Sequence, residues 1–162
     1  MMQYPANMGA QERGVWLNGA LAGFVATIPM TVFMLTTQRF LPRGQRYDLP
    51  PEILTKELAH RAHVRYRMNK GQILGATLVS HFGYGAAMGM LYALLGRKMS
   101  LPSAARGTLF GVLVWAGSYL GLLPLLGMSE SGHREPARRN LMMIAAHVVW
   151  GSATGVIVDM LT

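Results

Sequence analysis

Two histidines, His81 and His147, sit inside long apolar runs of a 162-residue chain. An ionisable side chain is costly in such surroundings and normally has a partner or a task. Each histidine heads the same pattern. His81-Phe-Gly-Tyr84-Gly85-Ala-Ala87-Met-Gly89 matches His147-Val-Val-Trp150-Gly151-Ser-Ala153-Thr-Gly155, with an aromatic at +3, glycine at +4, alanine at +6 and glycine at +8. Positions +4 and +8 return to nearly the same helical face, so each histidine shares a stripe with its own glycine pair and is expected to point inward. Three kinds of chemistry are open to this pair. A neutral imidazole can bond a neighbouring helix, for example through Tyr84, Ser118, Tyr119 or Ser152. Two imidazoles can bind a metal centre or the iron of a haem, with glycines making room for the ring, although a tight glycine crossing one turn away opposes this. A titrating imidazole can also serve a proton or ion path, with Asp159 at the end of the last run as its mouth. Met30, Met34, Met88, Met90, Met142 and Met143 read as adaptable packing and not as soft-metal ligands.

The elements that must position the histidines are four uncharged, mostly apolar runs at 14–38, 71–96, 107–129 and 140–158. About 20 such residues, rising roughly 1.5 Å each, span the hydrocarbon core of a bilayer. The expectation is one all-α membrane domain over 1–162 with four transmembrane helices. The tail before Gly14, with Glu12 beside Arg13, lacks the positive charge of a signal peptide, so the first run is expected to remain in the mature protein.

The charges behind the net +8 lie outside the apolar runs, where lipid headgroups explain the balance more simply than nucleic acid does. Nucleic acid is therefore not expected as a partner; the bilayer and its anionic headgroups are. Of the fifteen Lys and Arg residues, eleven lie at 39–70 and 134–139, against Arg13, Arg97, Lys98 and Arg106 on the other side. This bias puts the 39–70 and 130–139 loops in the cytoplasm and both termini outside it. Within the first loop, Asp48-Leu49-Pro50-Pro51-Glu52 opens a helix at about 51–67. Ile53, Leu54, Leu58, Ala62 and Tyr66 recur at helical spacing among basic residues, the pattern of an amphipathic helix in the interface.

Glycines four apart recur in every run: Gly19 and Gly23, Gly71 and Gly75, Gly85 and Gly89, Gly107 and Gly111, Gly117 and Gly121, Gly151 and Gly155. Small residues one turn apart let helices approach closely in lipid, where apolar side chains gain little by leaving hydrocarbon. Together with the histidine pattern they imply two helical hairpins of the same topology. These would be parallel repeats about an axis along the membrane normal. With no cysteine, no Ser-His-Asp spacing, no phosphate loop and no HExxH, enzymatic activity is not expected.

The proline-led Leu49-Pro50-Pro51-Glu52-Ile53-Leu54-Thr55, then His81-Phe-Gly-Tyr84-Gly85 with Gly89 and Tyr92, then Gly107, Gly111 and Trp115, and finally His147 with Trp150-Gly151 resemble the YagU-like group of small inner-membrane proteins. The resemblance implies a bacterial inner-membrane protein with no established activity and no catalytic residue to carry over. The functional expectation is an accessory or scaffold component of a membrane assembly, homo-oligomeric or with other subunits. Alternatives are a small channel or proton-coupled carrier working as an oligomer, and a haem or pigment protein ligated by His81 and His147.

Overall fold

The computed structural model describes residues 8–96, 99–125, 127 and 136–162, with side chains from Gly14 onward. The helices are α1 (Met8–Thr37), α2 (Pro50–Arg61), α3 (Lys70–Leu95), α4 (Ser103–Ala116), the short α5 (Leu123–Leu125) and α6 (Ala137–Leu161). A six-residue π-helical segment, Gly117–Leu122, joins α4 to α5. No strand occurs among the described residues. Four helical stretches are long and apolar enough to cross a membrane: Gly14–Phe40, Lys70–Leu95, Ser103–Leu125 and Ala137–Leu161. The third was expected to reach 129; its described helix ends at Leu125, and residues 126, 128 and 129 lie outside the described residues. By length and composition this is a multi-pass membrane protein.

The distribution of side chains fits lipid as the solvent. Leu17, Leu21, Ile28, Val32 and Leu35 of α1 face outward, while Ala22, Ala26, Thr27, Met30 and Met34 are buried. Small and adaptable residues fill the interior because close backbone approach, not escape from water, is what holds such helices together.

Glycines fix which helices touch. A Cβ at Gly23 would overlap the Gly85 carbonyl oxygen and lie 2.7 Å from the Gly89 Cα. One at Gly89 would overlap the Gly19 carbonyl and lie 2.6 Å from the Gly23 Cα, so α1 and α3 cross backbone against backbone. In α4 and α6, Gly107 and Gly151 exclude each other's Cβ in the same way, Gly111 abuts the His147 carbonyl and Gly155 the Ser103 carbonyl. The two hairpins meet through α1 and α6, where the buried Trp150 indole N–H donates to the Gly23 carbonyl at 3.1 Å. Around the bundle the order is therefore α3, α1, α6, α4. Between its two ends, α3 and α4, contact is slight, and the rings of Tyr92 and Phe110 meet there at 5.4 Å.

Away from α2, the Arg106 guanidinium binds both Asp159 carboxylate oxygens at 2.7 and 2.6 Å, and Asn18 donates to the Leu161 carbonyl at 2.7 Å. Asp159, expected as the mouth of a proton path, is thus engaged in tying α6 to α4. Because its side chain is 42% exposed, Asp159→Asn should lower stability by no more than about 1 kcal/mol, read as thermal unfolding in detergent.

At the other end α2 is shorter than the expected helix at about 51–67. It stops at Arg61, because His63 adopts a left-handed backbone (φ 57) that ends the helical path. Its buried face is Thr55 and Ala59, turned to α3, where the Thr55 and Ser80 hydroxyls share a 3.2 Å hydrogen bond; Leu58 and Tyr66 are exposed. Leu49 occupies the N-cap, and the Asp48 carboxylate, with Glu52, binds Lys56. Those bonds hold the Lys56 ammonium pKa above its ordinary value. The small stabilisation they add is complete below the unfolded lysine pKa and is lost only as pH rises through the higher folded value.

Candidate functional site in the bundle interior

A cavity of about 240 Å³ lies between the four long helices and α2. Its walls follow from the helix order: α3 and α4 stand at the two ends of that order and touch only slightly, which leaves a gap between them. Pro50, Pro51 and Leu54 of α2 line that space. Met30, Met34, Met88 and Met143 supply flexible apolar wall, and no Lys, Arg, Asp or Glu lines the space among the described residues.

Both sequence-selected histidines line this cavity. His81 is eleven residues into α3 and His147 ten into α6, so at roughly 1.5 Å per residue each lies about 15 Å along its helix. His147 is buried, and its Nδ1 is 2.8 Å from the Met143 carbonyl oxygen. A carbonyl can only accept, so Nδ1 carries the proton, and in the neutral form of the ring the lone pair sits on Nε2. The His81 Nε2 is buried and has no hydrogen-bond partner.

The expected neighbours of the imidazoles behave differently from one another. Tyr84 and Ser118 bond each other, hydroxyl to hydroxyl at 2.9 Å, across the α3–α4 seam. Ser152 donates to Val149 of its own helix at 3.1 Å. Tyr119, turned inward by the π-helical segment, presents its ring edge-on to His147 with centroids 6.3 Å apart. A π segment inserts an extra residue into the helical turn and so re-aims the side chains that follow it; such segments recur at functional sites. Interhelical hydrogen bonds in bilayers average about 0.6 kcal/mol, close to thermal energy, so the Tyr84–Ser118 bond bridges the seam without locking it.

One sequence-based objection to a cofactor falls. The glycine stripes that carry the histidines cross α1 and α4, not each other, and α3 and α6 stand diagonally opposed with little contact. Space between the two imidazoles is therefore compatible with tight glycine packing one turn away. Among the described residues no group of three or more His, Cys, Asp or Glu is placed to hold a bare metal ion.

Sequence reasoning missed Arg139, counted there among the headgroup cations. It is fully buried, its guanidinium donates to the Gln45 and Tyr47 carbonyls at 3.2 Å and to that of Asp48, and it stacks 3.6 Å above the Tyr47 ring. Arg139 thus anchors the loop that delivers α2 to the cavity. No local signal distinguishes it from the exposed Arg138 beside it, because its partners lie some ninety residues away.

Residues 19–156 match a family described as a protein of unknown function, DUF1440. No curated protein and no solved structure matches the chain.

Proposed function

Because the chain belongs to DUF1440, whose function is unknown, we propose from its geometry that it is a non-enzymatic accessory protein of the inner membrane that holds a small, uncharged, mostly apolar ligand inside its bundle. The observation that carries this reading is the shared cavity onto which His81 and His147 both open, walled by apolar side chains and free of ionised ones among the described residues. Burying an unpaired charge there would be prohibitive, whereas an uncharged head finds hydrogen-bonding groups in the two imidazoles and in Tyr84, Ser118 and Tyr119. The glycine pairs are largely consumed within the hairpins. Gly75, Gly117 and Gly121 are the ones among those pairs with nothing near their Cβ positions.

Native mass spectrometry of protein released from membranes tests this. Wild type should carry an uncharged, lipid-soluble adduct, and Met88→Trp, which fills the space, should lose it at least roughly tenfold. Equal loading of the two proteins would refute the proposal.

A second reading, haem or a related metallated pigment, draws on the His147 lone pair at Nε2 and on the separation of α3 from α6. Against it, a haem brings two carboxylates and no cation lines the cavity among the described residues. Under this reading the purified protein shows a Soret band that His147→Gln abolishes; a colourless preparation that stays colourless on adding haemin removes it.

The orientation we propose places the α2 end in the cytoplasm and both termini outside. Of the eleven cations at that end Arg139 is internal, which leaves ten against four. Reporter fusions at Arg65 and after Thr162 should label opposite sides, and cytoplasmic labelling of the C-terminus would reverse the assignment.

A further inference from the structure

The cavity has one side that no helix covers among the described residues. α1 and α6 are packed together at its back, Pro50, Pro51 and Leu54 of α2 line it, and Tyr92 meets Phe110 between α3 and α4 beyond its lining. On the remaining side, between α3 and the π-helical segment, the lining residues Tyr84 and Leu122 are 40% and 47% exposed. The Tyr84–Ser118 hydrogen bond is the polar tie across it, and Gly117 and Gly121 have nothing near their Cβ positions. That side lies within the span of the transmembrane helices, so it faces hydrocarbon and not water. Resting on the cavity reading above, we propose that the α3–α4 seam is a lateral portal through which a lipid-dissolved molecule enters from the bilayer, an apolar chain or ring with one uncharged hydroxylated head.

The chemistry of the path selects that class. A charged head would have to shed its hydration to pass Tyr84 and would meet no countercharge among the described residues that line the cavity. A hydroxyl satisfies what the cavity offers. It can donate to the lone pair His147 holds at Nε2 and can pair with the unpartnered His81 Nε2. Tyr84 and Ser118 act as a latch. Exchanging their mutual bond for bonds to the incoming head keeps every polar group paired during passage, which matters most where water is absent. The π-helical segment places Ser118 and Tyr119 in consecutive positions, one on the seam and one inside, so the same turn serves the portal and the site.

The chain has no cysteine, which makes the portal testable with introduced thiols. Trp150 lines the cavity and is 3% exposed, so in a Trp16→Phe, Trp115→Phe background its fluorescence responds to a quencher inside the bundle and not to one in the surrounding lipid. The probe is bromo-undecanol in lipid nanodiscs, with bromo-undecanoate at alkaline pH as the charged counterpart. The alcohol should quench Trp150 and the carboxylate should not. Bridging Tyr84→Cys to Ser118→Cys with a short bis-thiosulfonate should slow quenching at least roughly tenfold, and Tyr84→Phe, which removes the latch, should speed it. Quenching at an unchanged rate after bridging overturns the portal while leaving the cavity intact. Equal quenching by the carboxylate overturns the assigned head group. If Trp16 is quenched from the bilayer in a Trp16-only variant and Trp150 never is, the cavity reading itself falls and the portal with it.

Discussion

Replacing Gly107 or Gly151 with valine should destabilise the bundle by at least about 3 kcal/mol, the upper range for overpacking, and leave little folded protein in detergent. At Gly107 the new Cβ alone would overlap the Gly151 carbonyl and lie 2.9 Å from the Gly155 nitrogen. Both obstacles are backbone, so relief requires the α4–α6 axes to separate, and every contact along that crossing is weakened at once. Gly23→Val should act alike on the α1–α3 crossing, where the Gly85 carbonyl and Gly89 stand in the way. Gly75→Ala is the control. Nothing lies within 4 Å of its Cβ position, and stability should stay within about 0.5 kcal/mol of wild type. Thermal or SDS unfolding followed by circular dichroism measures all four, and a Gly107→Val protein as stable as Gly75→Ala would contradict the packing described.

Arg139→Met is expected to be the next largest loss, about 3 kcal/mol. The guanidinium is fully buried and donates to three loop carbonyls, and hydrogen bonds to charged groups are worth about 1.5–3 kcal/mol each before the loop carbonyls recover water. The local consequence should exceed the global one. Once the 45–48 loop is released, α2 loses its anchor, and protease cleavage between Arg43 and Leu49 should rise sharply. Arg139→Lys should rescue less than half of the loss, because an ammonium has neither the planar fork nor the stacking surface that meets Tyr47. Arg138→Met, at an exposed position, should change neither stability nor cleavage. Cleavage of Arg139→Met at the wild-type rate would show that the loop is held by something else.

These two sites mark how far the sequence could be read. The four spans were legible because length and apolarity are local properties. The glycine spacing announced close crossings, but not their partners. A stripe on α3 carries His81 and Gly85 alike, and only the three-dimensional order reveals that the glycines meet α1 while the imidazole turns to the gap facing α6. Arg139 was read as a headgroup cation because an arginine at the start of a membrane span usually is one; its actual role depends on carbonyls brought in by the first loop. In α2 the apolar spacing through Leu54 and Leu58 gave no sign of the Thr55–Ala59 face that meets α3, since that contact includes a polar bond, Thr55 to Ser80, whose partner lies on another helix. The π-helical segment that turns Tyr119 inward has no residue signature in Gly117–Leu122 that separates it from an ordinary glycine-rich helix.

The central claim is that His81 and His147 contact one ligand in one intramembrane cavity. The most direct test is imidazole nitrogen-15 NMR in lipid on a variant in which His60→Gln, His63→Asn and His133→Gln leave only these two rings. Asparagine suits position 63 because it tolerates the left-handed backbone there. Before ligand is added, His147 should show a protonated Nδ1 and a lone-pair Nε2, as its bond to the Met143 carbonyl requires. Adding bromo-undecanol should move the Nε2 resonances of both histidines over the same concentration range. Two Nε2 signals that stay fixed while the alcohol saturates the bilayer would contradict the account.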